Sequence, residues 1–592
     1  MDAALDLATA PFRDARYAPR ALDVEARPNG ELVLTNPTPY STAFTTMTQA
    51  IARWAAEAPS RTWLAERSGE GWRELTYAEA AQSIAALAGG LRELGVVGTR
   101  PLLILARNGI DHGLIKYAAM SQGIPVAPVS PQYGLPGANL ARLAHAVEVL
   151  NPAAVYAEDA ALFGEALEAP FLAGLPVIAG AKARPGDVTL SHLLKCSPTP
   201  ATARPDDHAK YLLTSGSTGL PKAVICLHRN IATNSAQIAA CFADDEPPVM
   251  VNSAPWSHSL GANSILHMAA HRGGTVYIDS GQPTSGRFGE TVRNLSEIST
   301  TYHNMVPAGW MLLAGELERD AELARTFFSR VRVLQYGGAA LGQDFSDRIQ
   351  AIAVATVGEK ISFASGYGAT ETGPTACNVH WHNDRMGMIG LPVPGTSVKL
   401  VPEAGKLEFR VKGPQVTPGY LGRPELSAQS FDQDGFYKLG DAARFVDREE
   451  PARGMIYDGR LSENFKLASG TFVGVGELRI AAVDAVGDAV TDAVVCGEGR
   501  EAVGLMFYPN PKLDPAVVTQ AVQVGMERLN AQAKGAGGKV RRALVLDGPP
   551  DPSIGEITDK GYIAQSLARS HRAAAVEALF AEPAGETVLL FP

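Results

Sequence analysis

Two long stretches, 62–159 and 211–370, alternate short apolar runs that suit strands with longer runs of helical periodicity. Strands joined through helices must lie parallel, and their sheet must be covered on its faces. In the first stretch the pattern predicts helices at 80–94 and 139–150 and strands at 101–106, 124–129 and 153–156. A Pro- and Thr-rich segment, 196–206, separates the two stretches and reads as a linker. Before them, 21–36 predicts a hairpin about Asn29-Gly30. An amphipathic helix at 42–57 follows, with Phe44, Met47, Ile51 and Trp54 as its core face. From 390 to 459 short runs at 397–401, 406–411 and 443–446 alternate with turns, which predicts a small, mostly β module. Fresh strand and helix patterns from 463 to 592, ending in an Ala-rich helical stretch at 564–581, predict a separate C-terminal domain. A chain of 592 residues is too long for one core.

Composition narrows the function. The chain is 46% hydrophobic and 19% charged, with net charge −10 and a pI near 5.7. That balance argues against nucleic acid as a bulk partner, because phosphate backbones select basic faces, while leaving room for a small basic pocket. The five cysteines (196, 226, 241, 377, 496) form no C-x-x-C pair and no zinc spacing, which fits reduced thiols and a cytoplasmic location. The first twenty residues are charged throughout and carry no apolar signal core. No apolar run reaches the roughly 18 residues that a membrane span requires.

The most specific chemistry lies in Thr214-Ser-Gly-Ser-Thr-Gly-Leu-Pro-Lys222, between strand-like runs at 211–214 and 222–227. Its glycines, Gly216 and Gly219, let backbone approach a ligand closely. Successive N–H groups and the hydroxyls of Thr214, Ser215, Ser217 and Thr218 make an anion-binding concavity, and Lys222 adds a compact charge. A plain surface turn is the bland alternative. A Walker loop is excluded by the spacing and by the absence of a helix pattern starting at the lysine. The composition and order of this loop resemble the signature phosphate loop of the acyl-adenylate-forming superfamily, which contains acyl-CoA synthetases, peptide-synthetase adenylation domains and luciferases. The resemblance implies an α/β fold. It further implies a large N-terminal domain, 1–459, of two layered α/β subdomains and a small β subdomain, and a small mobile α+β C-terminal domain over 460–592.

Further motifs follow in the superfamily's order. Pro255-Trp256-Ser-His258 resembles its aromatic/His segment beside the acyl pocket, although a lone His is more often structural. Gly337-Gly338-Ala339, after a strand at 331–336, matches the segment that lines adenine and acyl pockets. Tyr367-Gly-Ala-Thr370-Glu371 matches the Tyr-Gly-x-Thr-Glu motif at every fixed position. Tyr367 can stack on a purine, Thr370 can bond the α-phosphate, and Glu371 can hold Mg2+, which takes one or two carboxylates plus phosphate oxygens. By the same resemblance Asp441 binds the ribose hydroxyls and Arg460 lies near ribose and phosphate. Lys560 is the lysine that enters the site for adenylation, with Lys539, Arg541 and Arg542 as competitors or CoA contacts. Trp256, His258, Asn304, Met305 and Ala308 are the candidate acyl-pocket residues, with Gly338, Ala339 and Tyr367 beside them.

One departure stands out. The junction that usually reads Gly-Arg-x-Asp-Asp-x-x-Lys is here Gly459-Arg-Leu-Ser462-Glu-Asn-Phe-Lys466, so Ser462 occupies the hinge position. This variant, the 556–562 ending and the opening hairpin resemble bacterial feruloyl-CoA synthases. The implied reaction uses ATP, Mg2+ and coenzyme A to convert an aryl acid of the ferulate or hydroxycinnamate type, from lignin phenols, to its thioester. Its partners are therefore small molecules, and a homodimer stays open. Benzoate-type or fatty acids, loading of a carrier protein, and an inactive nucleotide-binding scaffold are the alternatives.

Overall fold

The computed structural model describes the chain except residues 1–6, 216–220, 244, 284–285, 338–340, 404, 462–463, 534, 552–553, 555 and 558–562, and the side chain of Ser215. Internal packing divides the chain into two compact units. The first is Met1–Lys399 with Val411–Lys438 and Val446–Met455; the second is Leu400–Arg410, Leu439–Phe445 and Ile456–Pro592. The strands expected to form one small β module are thus shared out between the units.

In the first unit the alternating pattern gives a seven-stranded sheet. Its strand order is Pro221–Leu227, His208–Ser215, Val126–Val129, Leu102–Leu105, Ala154–Asp159, Val177–Ala181 and Val188–Thr189. All neighbours are parallel except the first pair. Leu102–Leu105 is buried at every position, which is why it reads as a continuous apolar run with no alternation. The crossover helix Ile110–Ser121 is buried everywhere but Asp111, and it carries His112 and Lys116 into the core. The helix expected at 80–94 begins earlier, at Tyr77. The Thr76 hydroxyl accepts from Glu79 N (3.3 Å) and the Glu79 carboxylate accepts from Thr76 N (2.9 Å), a reciprocal cap that sets the start. The helix expected at 42–57 begins late, at Met47, and the hairpin strands are Asp23–Ala26 and Leu32–Thr35.

A second sheet orders Val249–Asn252, Thr275–Ile278, Thr62–Ser68 and Gly71–Thr76. A third parallel run, Tyr302–Met305, Val333–Tyr336 and Ser362–Tyr367, is continued antiparallel by Cys377–Asn378 and Met388–Pro392. Its register pairs Met305 with Tyr336 and Tyr336 with Ser365, so three strand C-termini end side by side. In open α/β sheets, that edge is where ligands bind.

The second unit holds a four-stranded sheet of Val490–Cys496, Val503–Pro509, Val540–Val545 and Val588–Leu590. Val495, Leu505, Phe507, Val518, Val522 and Met526 build its core with the helices Val475–Val486 and Pro515–Gln532. The Ala-rich stretch is two helices, Gln565–His571 and Ala573–Phe580, parted at Arg572. The Arg572 guanidinium forks onto Glu556 (2.6 and 2.8 Å). Among the described residues, no helix is long and apolar enough to cross a membrane.

Candidate active site

In the first unit, Thr214 and Lys222 stand opposite each other in the antiparallel pair that flanks residues 216–220. The segment 419–421 lies on the same strand, through Ile225 N to Gly419 O (3.0 Å) and Leu421 N to Ala223 O (2.9 Å). That placement sets the Lys222 ammonium 4.3 Å from the centre of the Tyr420 ring. The Tyr420 hydroxyl in turn donates to Glu371 Oε1 (2.8 Å) and lies 2.8 Å from the Tyr437 hydroxyl. Thr417 N also donates to the Glu371 carbonyl (2.8 Å), so one segment grips both the backbone and the carboxylate of Glu371. Burial, and next the charge of Glu371, push both phenols well above the ordinary tyrosine range.

Thr370 and Glu371 form a single 3-10 turn, Thr370–Thr372, following the strand Ser362–Tyr367. Two glycines allow this geometry. A Cβ at Gly368 would collide with the Pro374 carbonyl oxygen. Gly373 has φ +107°, and a Cβ there would stand 2.8 Å from Asn234 Cγ. Both Thr370 and Glu371 are buried. The Thr370 hydroxyl meets the Ser259 hydroxyl at 3.2 Å, which brings the aromatic/His segment to the Thr-Glu motif. Tyr367, half-buried, ends the strand and pairs with Cys377.

The aromatic/His segment is pinned by Asn108, which accepts from Trp256 N (2.9 Å) and donates to Ala254 O (2.9 Å). The Trp256 ring is 2% exposed and packs edge-on to His112 (5.2 Å). His258 is half-buried at the entry to the π-helix Leu260–His267, where its carbonyl accepts from Ala262 N (2.9 Å). Leu260 faces Gly337, within 3.8 Å of where a Cβ would stand. On the neighbouring strand Asn304 Nδ2 donates to Gln335 Oε1 (2.6 Å), and its carbonyl accepts from Asn252 Nδ2 (2.8 Å). Asn304 Oδ1 is buried, with no partner among the described residues. Met305 is half-buried, and Ala308 is exposed on the first turn of the helix Pro307–Arg319.

In the second unit Arg460 Nε lies 3.2 Å from Asp441 Oδ1. Next to it Lys406 Nζ pairs with Asp458 Oδ1 (3.3 Å). The Glu477 carboxyl is pushed up, first by burial and then by its hydrogen bond to Asp458. Gly216, Ser217, Thr218, Gly219, Gly338, Ala339, Ser462 and Lys560 lie outside the described residues, as does the Ser215 side chain. The structure adds Tyr420, Tyr437, Ser259, Asn263 and Lys210 to the site's surroundings. Tyr437 and Ser259 lie inside the 435–441 and 255–261 motifs, and Tyr420 has a signal in its Pro418-Gly-Tyr-Leu-Gly turn, whereas Asn263 and Lys210 have none.

Comparison with known proteins identifies the family. Residues 51–421 match the AMP-binding enzyme family, and residues 480–584 match the AMP-binding enzyme C-terminal domain. The chain belongs to the AMP-binding enzyme family. This AMP-binding enzyme is 27% identical over 409 residues to a feruloyl-CoA synthase of an Amycolatopsis species, covering 67% of this chain and 76% of the relative. It is 27% identical to 4-coumarate–CoA ligase 3 of Oryza sativa subsp. japonica, covering 64% of this chain and 69% of the relative. In fold it matches the A domain of a carboxylic acid reductase from Segniliparus rugosus, solved with AMP and a co-purified carboxylic acid. The TM-score is 0.73 at 20% identity, over 91% of this chain and 94% of that one.

Among the described residues of this AMP-binding enzyme, no three His, Cys, Asp or Glu side chains group to hold a metal by themselves. One buried carboxylate, Glu371, beside the Thr370 and Ser259 hydroxyls fits Mg2+ arriving with a polyphosphate, since Mg2+ needs few protein ligands and takes the rest from phosphate and water.

Proposed function

We propose that this AMP-binding enzyme is an acid–thiol ligase that activates an aryl carboxylic acid of the hydroxycinnamate type with ATP and transfers the acyl group to coenzyme A. The observation that carries the substrate class is the similarity to feruloyl-CoA synthases over most of the chain, joined by 4-coumarate–CoA ligases. The Lys222–Tyr420–Glu371 arrangement supports the ATP chemistry.

In the first half-reaction the substrate carboxylate attacks the α-phosphorus of ATP, and pyrophosphate leaves. Charge spreads over phosphoryl oxygens, so positioning and electrostatics do the catalysis. Lys222 and the hydroxyls of Thr214, Ser215, Ser217 and Thr218 steady the leaving pyrophosphate in this reading. Thr370 bonds the α-phosphate, Tyr367 stacks on adenine beside Gly338-Ala339, and Asp441 with Arg460 holds the ribose. Glu371 would hold Mg2+ arriving with the nucleotide, which would neutralise charge along the phosphates. Trp256, His258, Asn304, Met305 and Ala308 surround the acyl group. Lys560, carried by the C-terminal domain 460–592, bridges carboxylate and α-phosphate. In the second half-reaction that domain pivots at Ser462, Lys560 withdraws, and the CoA thiol takes the acyl group and releases AMP.

The test is pyrophosphate release with ATP and Mg2+ across ferulate, p-coumarate, benzoate and palmitate, with and without CoA. Release with ferulate and p-coumarate, and thioester only when CoA is present, is the expected result. Preference for benzoate or palmitate would discard the hydroxycinnamate class and keep the ligase.

A further inference from the structure

Lys210 lies on the strand His208–Ser215, four residues before Thr214. Its side chain is fully buried, and among the described residues no carboxylate lies within ion-pair distance of it. Its ammonium donates to Asn263 Oδ1, and Asn263 Nδ2 donates to the Gly373 carbonyl (2.6 Å). Asn263 sits on the π-helix Leu260–His267, four residues beyond Ser259, whose hydroxyl meets Thr370. One face of that helix therefore runs along the Thr370–Gly373 turn, touching both of its ends.

An ammonium has only donors and a carbonyl only acceptors, so Asn263 has one satisfactory orientation between them. Its oxygen must face Lys210 and its NH2 must face Gly373. Without the lysine, the Asn263 oxygen loses that donor and the amide is held from the Gly373 side alone. On the opposite side Asn234 brackets the same turn, donating to Thr375 O (2.8 Å) and accepting from Thr375 N (3.3 Å).

We propose that Lys210 is a positioning residue for nucleotide binding: through Asn263 it locks the Thr370–Glu371 turn in register with the strand that leads into the phosphate loop. The proposal rests on reading that turn as the phosphate and Mg2+ contact. Burial pushes Lys210 down to about 8. A buried ammonium without a counter-ion is costly to a fold, a cost the orientation it imposes on Asn263 would offset.

The test uses Lys210→Met, Asn263→Leu and the double variant in the full chain, with Mg2+·ATP affinity by calorimetry, KM for ATP and kcat, and thermal midpoint. Methionine matches the lysine in length and removes the buried charge, so the midpoint should hold or rise. The dissociation constant and KM for ATP should each rise roughly 10-fold in either single variant. The double variant should be no worse than the singles, because both break one relay. A merely structural lysine would lower the midpoint and leave ATP affinity alone, or its effect would add to that of Asn263→Leu; either result overturns the proposal. Wild-type chain that binds no ATP would instead remove the reading on which the proposal rests.

Discussion

The Tyr420 hydroxyl donates to Glu371 Oε1 at 2.8 Å, inside a site where Glu371 is 8% exposed. A buried carboxylate keeps its charge only where donors compensate it. Tyr420 fixes which oxygen is spoken for and so aims the other. Tyr420→Phe removes that donor while keeping the ring on which Lys222 rests. A hydrogen bond to a charged group is worth about 1.5–3 kcal/mol, so kcat/KM for Mg2+·ATP should fall roughly 10- to 100-fold. KM for the acid should change little. Steady-state kinetics at varied ATP and Mg2+ checks this, and an unchanged ATP dependence would show that Glu371 needs no such aiming.

Gly373 is the second constraint on the turn. At φ +107° a side chain is strained, and the Cβ would press on Asn234 at 2.8 Å. Left-handed backbone costs a non-glycine residue roughly 1–2 kcal/mol before any clash is counted. Gly373→Ala should therefore lower the thermal midpoint and weaken ATP binding together. Gly71→Ala, at a strand position with nothing within 4 Å, should do neither. Equal behaviour of the two variants in calorimetry would refute the constraint.

The two α/β layers were legible because a strand buried on both faces and an amphipathic helix leave different periods in the sequence. Leu102–Leu105 and Ala141–Leu150 show this. The candidate site stands out in the sequence where chemistry demands a residue type at a fixed spacing, as in Thr214–Lys222 and Tyr367–Glu371. The residues that hold the site were not legible. Lys210 sits in a run, His208–Ser215, that reads as an ordinary strand, and its role depends on Asn263, 53 positions away in sequence. The helix Ile110–Ser121 was hidden because it is buried all round and lacks an amphipathic stripe. The sharing of the strands between 397 and 446 out to two units also left no compositional mark.

Glu477 predicts a pH dependence of stability in the second unit. Burial, then Asp458, raise its carboxyl above 4.5, with Lys406 and Arg444 acting the other way. The fold thus favours the protonated acid. The stabilisation is complete below the unfolded-state pKa and is lost as pH rises through the higher folded-state pKa. Glu477→Gln stays neutral and escapes that loss. Its thermal midpoint should match wild type near pH 4 and exceed it near pH 8. A difference that is constant across this range would place the proton elsewhere.

Lys560 supplies the prediction that separates the two half-reactions. It is the lysine that the proposed mechanism places between the acyl carboxylate and the α-phosphate, and its role ends once the acyl-adenylate has formed. Lys560→Ala should therefore lose acid-dependent pyrophosphate release by roughly two orders of magnitude or more, the usual scale for removing one preorganised donor from a transition state. The same variant, supplied with preformed feruloyl-adenylate and CoA, should make thioester at a rate near that of wild type. Lys539→Ala should show the reverse if its Gly-rich basic surroundings meet CoA: adenylation retained, thioester formation reduced, and a higher KM for CoA. Both rates can be read in one assay, by following pyrophosphate and thioester separately. Equal loss of the two half-reactions in Lys560→Ala would mean that the lysine serves a single unchanging site, and the pivot at Ser462 would then have no task to perform.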